Sequence, residues 1–277
     1  MERRRVDHTY LTSFAYADAT RLGARIAIYD YQQPKIDLVA EVRDALGIAQ
    51  GMRALDVGTG DGRYAHTISE DGGSAIALDL SLGMLKGVDG TWTRVVADAE
   101  TLPFASASID RIVAAHMLYH LARPQQALAQ FARVLTPDGV FIATSNTEAH
   151  LQEMRLLWDE LLNDRGLNTQ DPNLALMNLE LPVDRLLADA RTAFHHVESR
   201  LLTSSLCCDN TAALVAYAAS TTAAMTTSEL GYDLLTPFGD KVRALIQCDG
   251  AFNVTTQVIL IRCTDPRSTP LQLIEHQ

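Results

Sequence analysis

The sequence lacks several features that would assign it to a class of protein at once. Its 277 residues include four cysteines, Cys207, Cys208, Cys248 and Cys263, which form no Cys-x-x-Cys pair and no His/Cys metal spacing. No apolar run reaches the roughly 18 residues that a membrane-spanning helix needs. The first residues, Met1–Arg5, are followed by polar residues rather than by an apolar stretch. We therefore expect a cytoplasmic protein with reduced thiols, no metal site, no membrane segment and no secretory signal.

Positive charge is also scarce. The chain has 23 Lys and Arg residues against 34 Asp and Glu, and a formal net charge of -11. Proteins that bind the phosphates of nucleic acids usually carry a basic excess or a basic stripe. Here the only basic cluster is Arg3–Arg5, so the composition disfavours a nucleic-acid substrate. It leaves self-association into a homo-oligomer open.

What the sequence does contain is a glycine-rich loop behind a short apolar strand. The segment Arg53–Gly58 has the pattern of a strand, glycines follow at positions 60 and 62, and a helix is predicted to begin at Tyr64. Glycine tolerates positive φ and lets a ligand lie against the backbone. A strand, a glycine loop and a helix in this order predict a nucleotide-type ligand in a parallel α/β sheet.

Two familiar glycine loops do not match the spacing. The dinucleotide fingerprint needs a third glycine three positions after the second, and that position is Arg63. The P-loop ends in Gly-Lys-Ser/Thr, which does not occur here, and Asp61 adds negative charge that would repel a pyrophosphate. The pattern that remains is Asp56-x-Gly58-x-Gly60-x-Gly62.

An acidic residue ends each of the next two predicted strands. Asp79 lies at the end of Ser74–Ser81, where a carboxylate can accept hydrogen bonds from both hydroxyls of a ribose. The alternative is that Asp79 caps the helix that follows. Asp98 and Ala99 leave the third strand, and there the alternative is an ordinary turn aspartate. Leu102-Pro103-Phe104 then precedes the fourth strand.

In this order, these motifs resemble those of the class I S-adenosylmethionine-dependent methyltransferases, and most of all the ubiquinone/menaquinone-biosynthesis type that methylates small molecules. The resemblance covers about residues 50–146. It implies S-adenosylmethionine as the cofactor, S-adenosylhomocysteine as the product and a small-molecule acceptor. The residues that it assigns to the cofactor are Asp56, Gly58, Thr59, Gly60, Gly62, Asp79, Leu80, Met84, Asp98, Ala99 and His116.

Within that set, the resemblance implies a role for each group. The glycines would lie under the methionine moiety, with Asp56 acting mainly to order the loop. Asp79 would bind the ribose. Asp98 would meet the adenine amino group, and the backbone N–H of Ala99 would meet a ring nitrogen.

The N-terminal residues are rich in tyrosine. In similar methyltransferases an aromatic N-terminal segment closes over the ligand. The resemblance then implies that Tyr29 or Tyr31 contributes a hydroxyl to the methionine end of the cofactor. The alternative is a helical arm that only packs its aromatic side chains on the main domain.

The fourth strand runs into Ala115–Leu118. Enzymes that methylate amino nitrogens of adenine, cytosine or glutamine typically carry Asn/Asp-Pro-Pro-Tyr at this place, so the sequence disfavours that chemistry.

Methyl transfer from a sulfonium needs mainly in-line positioning, and it needs a base only when the acceptor holds its proton. The candidate bases are His116 first, then His120 and His150, with Tyr119 as an orienting hydroxyl. Packing in the core or on a helix face is the alternative for each histidine.

The alternation of strands and helices predicts an α/β fold with a doubly wound, seven-stranded, mostly parallel sheet. The local patterns also predict helices over Pro34–Leu46, Glu148–Asn163 and Asn173–Leu179, and a turn at Thr136–Gly139. The predicted organisation begins with an N-terminal helical arm or lid at 1–35 and a cofactor-binding core at 36–146. An inserted helical cap follows at 147–180 and 210–235, and the remaining core elements occupy 181–209 and 236–277.

The predicted cap is apolar, which favours an acceptor with apolar or aromatic surface, such as a secondary metabolite. Two other functions stay open at this stage. One is an NAD-dependent oxidoreductase, which the missing third glycine disfavours. The other is a catalytically silent protein that keeps the methyltransferase fold for binding.

Overall fold

A computed structural model describes residues 8–15, 20–169, 174–176, 181–225 and 233–268. Short helical turns occupy His8–Tyr10, Leu11–Ala15, Ile28–Tyr31 and Leu118–His120. The helices are α1 Thr20–Ala27, α2 Leu38–Leu46, α3 Arg63–Glu70, α4 Leu82–Gly87, α5 Pro124–Val134, α6 Gln152–Asp164, α7 Val183–Ala193, α8 Thr211–Met225 and α9 Leu235–Asp249. The strands are β1 Gln32–Gln33, β2 Arg53–Val57, β3 Ser74–Asp79, β4 Thr93–Val96, β5 Ile109–Ala115, β6 Leu135–Asn146, β7 Phe194–Cys208 and β8 Phe252–Pro266.

The described strands form one sheet in the order β1-β7-β8-β6-β5-β2-β3-β4. The strands from β6 to β4 run parallel, whereas β8, β7 and β1 join by antiparallel pairing. The predicted α/β fold with a doubly wound, mostly parallel sheet is confirmed. Among the described residues the sheet has eight strands rather than the predicted seven, because Gln32–Gln33 pairs with Leu206 and Ser205 at the edge of β7.

Helices cover both faces of the sheet. On one face, α5 and α7 pack on buried residues such as Phe131, Phe141 and Phe194. On the other face, α2 and α3 bury Val42 and Ile68 against the strands. Strands covered on both faces are continuously apolar, which explains the run of buried residues in β2, β3 and β5.

The strands β7 and β8 project beyond the rest of the sheet. Pairing between β6 and β8 ends at Asn146 with Val258, whereas β7 and β8 stay paired as far as Cys208 with Phe252. We call this projecting part, residues 203–208 and 252–257, the ribbon. Helices α6, α8 and α9 cover it with a second core that includes Trp158. The ribbon therefore rises past the carboxyl ends of the parallel strands.

Three predicted boundaries were wrong. The helix predicted from Pro34 begins at Leu38, because the Asp37 carboxylate caps it by accepting from Ala40 N at 3.0 Å. The helix predicted from Glu148 begins at Gln152, because the preceding Leu151 has a left-handed φ of 52°. The predicted turn at 136–139 lies inside β6, as a break in its register with β5.

Other predictions meet the limits of the described residues. The short helix predicted over 173–179 lies largely outside them. The division into arm, core and cap stays a prediction, although α6, α8 and α9 share one apolar core. Within the described part of the chain, no helix has the length and apolar character to cross a membrane.

Candidate functional site

A cavity of about 590 Å³ opens at the carboxyl ends of the parallel strands. One side of it, which we call the loop wall, is formed by residues 57–64 after β2, 78–84 after β3 and 97–99 after β4. The opposite side, the ribbon wall, is formed by residues 145–146 of β6, Leu202 of β7, Thr256 and Val258 of β8, and Tyr217 and Thr221 of α8. The described N-terminal residues, within 8–15 and 20–39, contribute a roof across both walls, with Leu22 above Gly60.

The glycine loop is tied to the neighbouring strand by its backbone. Gly58 N and Thr59 N both donate to Leu78 O, at 2.8 and 3.0 Å. Gly58 and Gly60 have φ of 67° and 57°, a conformation that favours glycine. A Cβ added at Gly58 would lie 2.9 Å from Cβ of Met117, so a side chain at this position has no room.

Asp56 orders this loop from below. Its Oδ2 accepts from Thr59 Oγ1 at 2.6 Å and from Ala65 N at 3.1 Å. The side chain is buried and is not among the residues that line the cavity. Burial raises the pKa of Asp56 to about 7, even though both hydrogen bonds favour the ionised form. Asp56 thus lies where it can organise the loop rather than touch a ligand.

Gly62 has a different position from the other two glycines. It lies outside the cavity lining, where it precedes α3 with φ of 79°. A Cβ there would lie 2.3 Å from Cγ1 of Val88. Gly62 therefore packs at the start of α3, apart from the residues that line the cavity.

Asp79 faces the cavity from the end of β3. Its Oδ1 accepts from Ser81 N at 2.8 Å and its Oδ2 from Gly60 N at 3.3 Å. Burial raises the pKa of this carboxyl group. The side chain that caps α4 belongs to Ser81, whose Oγ accepts from Met84 N at 3.3 Å. The alternative that Asp79 is only a helix cap is thereby removed.

The remaining predicted cofactor residues of the loop wall also line the cavity: Thr59, Leu80, Met84, Asp98 and Ala99. Asp98 Oδ1 accepts from Glu100 N at 2.8 Å, so the side chain does make a local turn contact. Its Oδ2 lies 3.8 Å from Nε2 of His8, which also lines the cavity. The N-terminal segment thus reaches the site predicted for the adenine.

His116, Tyr119 and His120 lie between the two walls and line the cavity. His116 has a left-handed φ of 53° at the end of β5, and its backbone N donates to Thr144 O at 2.9 Å. Burial, together with the charge of Arg63, lowers the pKa of His116 to about 4. The rings of Tyr119 and His120 meet edge to face, with centroids 4.6 Å apart.

The two candidate tyrosines of the N-terminal segment separate. Tyr29 lines the cavity, and its hydroxyl lies 3.0 Å from Nε2 of His150. Tyr31 is not among the lining residues, and its hydroxyl accepts from Nδ2 of Asn210 at 2.9 Å. The structure therefore brings Tyr29 to the site and leaves Tyr31 outside it.

His150 is a correction to the list of candidate bases. It is fully buried and does not line the cavity. Its Nδ1 accepts from Gln257 N at 3.1 Å, and its Nε2 faces Tyr29. Burial is the main reason that the pKa of His150 falls to about 3. Both ring nitrogens have protein partners, so His150 cannot take a proton from a bound acceptor.

The ribbon wall contains the residues that sequence reasoning missed. Among the described residues that line this wall, the polar groups are all neutral: Ser145, Asn146, Tyr217, Thr221 and Thr256. The charged lining residues belong to the loop wall or to the roof: Arg25, Asp37, Asp61, Arg63, Asp79 and Asp98. No local motif marks the ribbon wall, since it forms only when β6, β8 and α8 come together.

Comparison with known proteins agrees with this geometry. The family described as "Methyltransferase domain" matches residues 55–143, which span the loop wall and the strands behind it. These residues are a class I S-adenosylmethionine-dependent methyltransferase domain. The resemblance inferred from the motifs is confirmed for this domain, and so is S-adenosylmethionine as the cofactor that goes with it.

Two curated relatives match the methyltransferase domain and its surroundings. A demethylmenaquinone methyltransferase of Renibacterium salmoninarum is 31% identical over 49% of this chain and 64% of its own length. A malonyl-[acyl-carrier protein] O-methyltransferase of Methylococcus capsulatus is 35% identical over 38% of this chain and 42% of its own length. The chain thus spans less than two thirds of each of these relatives.

Solved structures match more of the chain at lower identity. A protein from Anabaena variabilis, described as a candidate methyltransferase from an antibiotic biosynthesis pathway, superimposes with a TM-score of 0.58. It is 15% identical, and the match covers 82% of this chain and 96% of that one. This likeness supports the fold beyond the methyltransferase domain.

Proposed function

We propose that this chain transfers the methyl group of S-adenosylmethionine to an oxygen, nitrogen or carbon atom of a small acceptor with apolar or aromatic surface. One observation carries the proposal: the loop Gly58–Gly60, Asp79, Asp98 and Ala99 all line a single cavity. Its volume of about 590 Å³ lies in the range of small-molecule sites. Asp79 would bind the ribose, and Asp98 with Ala99 would bind the adenine.

The character of the ribbon wall supports the proposed acceptor. Neutral hydroxyl and carboxamide groups lie there among apolar side chains such as Leu202 and Val258. An ionic acceptor would lose its hydration without gaining a counter-charge on this wall. A neutral ring of the kind that the name demethylmenaquinone implies, or a secondary metabolite of similar character, suits it better.

The transfer step itself needs little from the protein beyond alignment. A lone pair of an oxygen or nitrogen acceptor, or a π electron pair of a carbon acceptor, forms a bond to the methyl carbon, and the sulfonium sulfur keeps the electron pair of the bond that breaks. An acceptor that carries a proton then releases it to water. With a pKa of about 4, His116 is neutral at pH 7 but is a weak base for a phenol. We therefore propose that His116 orients the acceptor or the methyl group, and that acceptors needing no strong base are preferred.

Formation of S-adenosylhomocysteine in the presence of an acceptor panel tests the function. The panel would contain naphthoquinols, phenols, amines and carboxylic acids, with product detected by mass spectrometry. We expect turnover with at least one apolar aromatic acceptor, and much slower turnover with Asp79→Ala when S-adenosylmethionine is limiting. Thermal stabilisation by NAD but not by S-adenosylhomocysteine would contradict the proposal. Tight S-adenosylhomocysteine binding without turnover across the whole panel would favour the silent binding protein.

A further inference from the structure

A chain of hydrogen bonds connects the ribbon to the roof of the cavity. The backbone N–H of Gln257 donates to Nδ1 of His150 at 3.1 Å, and Nε2 of His150 lies 3.0 Å from the hydroxyl of Tyr29. The rings of Tyr29 and His150 also stack, with centroids 6.2 Å apart. Of the three groups, only the side chain of Tyr29 reaches the cavity.

These contacts determine the tautomer of His150. A backbone N–H can only donate, so Nδ1 must carry the lone pair. His150 is neutral, since burial holds its pKa near 3, and the single ring proton therefore lies on Nε2. That proton is donated to the oxygen of Tyr29. The hydroxyl hydrogen of Tyr29 is thus directed away from the imidazole and is available to a group in the cavity.

The same tautomer argues against an acid–base role for the pair. To take a proton from Tyr29, Nε2 of His150 would have to be unprotonated. The proton would then lie on Nδ1, opposite the N–H of Gln257. Burial also raises the pKa of Tyr29 well above its usual value, which keeps the hydroxyl protonated. Tyr29 is arranged to donate a hydrogen bond rather than to remove a proton.

The partners of Tyr29 assign it to one side of the cavity. His150 follows β6, Gln257 belongs to the ribbon, and Tyr217, whose electrostatic effect reaches Tyr29, belongs to α8. All of these elements build the ribbon wall, whereas the predicted cofactor groups lie on the loop wall. Asn146, on the ribbon wall, has an Oδ1 with no hydrogen-bond partner among the described residues.

We infer that Tyr29 is a fixed hydrogen-bond donor to an oxygen atom of the methyl acceptor, and that His150 is a positioning residue that holds it. The inference rests on the proposed function and replaces the expectation that Tyr29 binds the methionine end of the cofactor. The ligand group is a carbonyl, phenolic or ether oxygen on an apolar ring. Asn146 offers the complementary acceptor for a ligand hydroxyl.

Matched variants separate the acceptor from the cofactor. Tyr29→Phe removes the hydroxyl and keeps the ring, and Tyr31→Phe removes a hydroxyl of the same segment that lies outside the cavity. In His150→Gln, the side-chain amide N–H can still donate to the oxygen of Tyr29. In His150→Asn, the shorter side chain can only accept from the backbone N–H of Gln257. Thermal unfolding of all four variants checks that the fold is retained.

The first measurement is the affinity for S-adenosylhomocysteine by isothermal titration calorimetry. We expect the affinities of the wild type, Tyr29→Phe and Tyr31→Phe to agree within about twofold, because neither hydroxyl binds the cofactor in this account. A neutral hydrogen bond to the cofactor would be worth more than twofold in affinity. A loss of about tenfold or more in Tyr29→Phe alone would assign Tyr29 to the cofactor and overturn the inference. Failure of the wild type to bind would instead refute the proposed function.

The second measurement uses ligand-observed NMR on protein saturated with S-adenosylhomocysteine. The probes are 1-naphthol and 1,4-naphthoquinone, with naphthalene as the oxygen-free control. We expect the wild type, Tyr31→Phe and His150→Gln to prefer the oxygenated probes by about five- to tenfold. Tyr29→Phe and His150→Asn should lose that preference. A preference that survives in Tyr29→Phe, or that is missing in the wild type, would overturn the inference.

Discussion

The two walls of the cavity differ in the distance along the chain over which they are assembled. In the loop wall, Asp79 binds Ser81 and Gly60, which are 2 and 19 residues away, and Asp56 binds Thr59 and Ala65. In the ribbon wall, the contact of His150 with Gln257 spans 107 residues and that with Tyr29 spans 121.

Under the proposed function, this difference would separate the binding of the cofactor from the choice of the acceptor. A short stretch can hold one cofactor in a defined geometry, because its hydrogen bonds form as soon as β2 and β3 pair. The ribbon wall instead depends on how β6, β8, α8 and the N-terminal segment come together. Substitutions there can change the acceptor and leave the cofactor wall intact.

The largest expected effect is on the loop wall. Gly58→Val should abolish S-adenosylhomocysteine binding in calorimetry, because valine resists a φ of 67° and its Cβ would lie 2.9 Å from Cβ of Met117. Gly87→Val is the matched control, since an added Cβ there meets nothing within 4 Å. Wild-type affinity in Gly58→Val would break the assignment of the loop.

A smaller effect is expected at Asp79. Asp79→Ala should weaken S-adenosylhomocysteine binding by about 1–3 kcal/mol, because the ribose loses its acceptor and Gly60 N loses its partner. The same change at Asp71, which pairs with Arg43 away from the cavity, is the control. Equal affinity in both variants would show that the cofactor does not lie on this wall.

The third effect is on stability rather than on binding, and it concerns the ribbon wall. His150 has a pKa of about 3 in the folded state, against about 6.5 when unfolded, so only the unfolded chain binds its proton between these values. The unfolding free energy should therefore fall as the pH drops below about 6.5, by roughly 2 kcal/mol at pH 5 for this group. His150→Gln should remove that part of the pH dependence in urea titrations.

Two other buried side chains contribute to the pH dependence of the unfolding free energy. His116 acts in the same direction as His150, with a folded pKa of about 4. Asp56 acts in the opposite direction, because its raised pKa of about 7 makes the folded state bind the extra proton. The pH dependence of the unfolding free energy is therefore compared between His150→Gln and His66→Gln, which changes an exposed residue of α3. An identical pH dependence in both variants would contradict the buried, neutral state of His150.

How far the site could be predicted follows the same division. The loop wall was accessible from the sequence, since Asp79 ends β3 and Asp98 lies two residues after β4, at recognisable distances from a glycine loop. Spacing could not show that Gly62 packs on Val88 and lies outside the cavity lining, because it cannot tell such a glycine from one that faces a ligand. The positions of Tyr31 and His150 outside the lining were hidden because their partners, Asn210 and Gln257, are more than 100 residues away.

The fold shows the same limit. The strand and helix alternation up to β6 was predictable, because β2, β3 and β5 carry runs of buried apolar residues and helices such as α3 and α5 have one apolar stripe. The edge strand Gln32–Gln33 was not, since two polar residues carry no periodic signal. The register break at 136–139 was likewise hidden, because its Pro-Asp-Gly residues predict a turn.

A crystal structure with S-adenosylhomocysteine bound tests most directly whether the two walls divide cofactor from acceptor. We expect the ribose hydroxyls on the Asp79 carboxylate, the adenine beside Asp98 and Ala99, and the sulfur directed toward the space before Tyr29 and Asn146. A methionine carboxylate bound to the hydroxyl of Tyr29, or a ribose away from Asp79, would contradict this division.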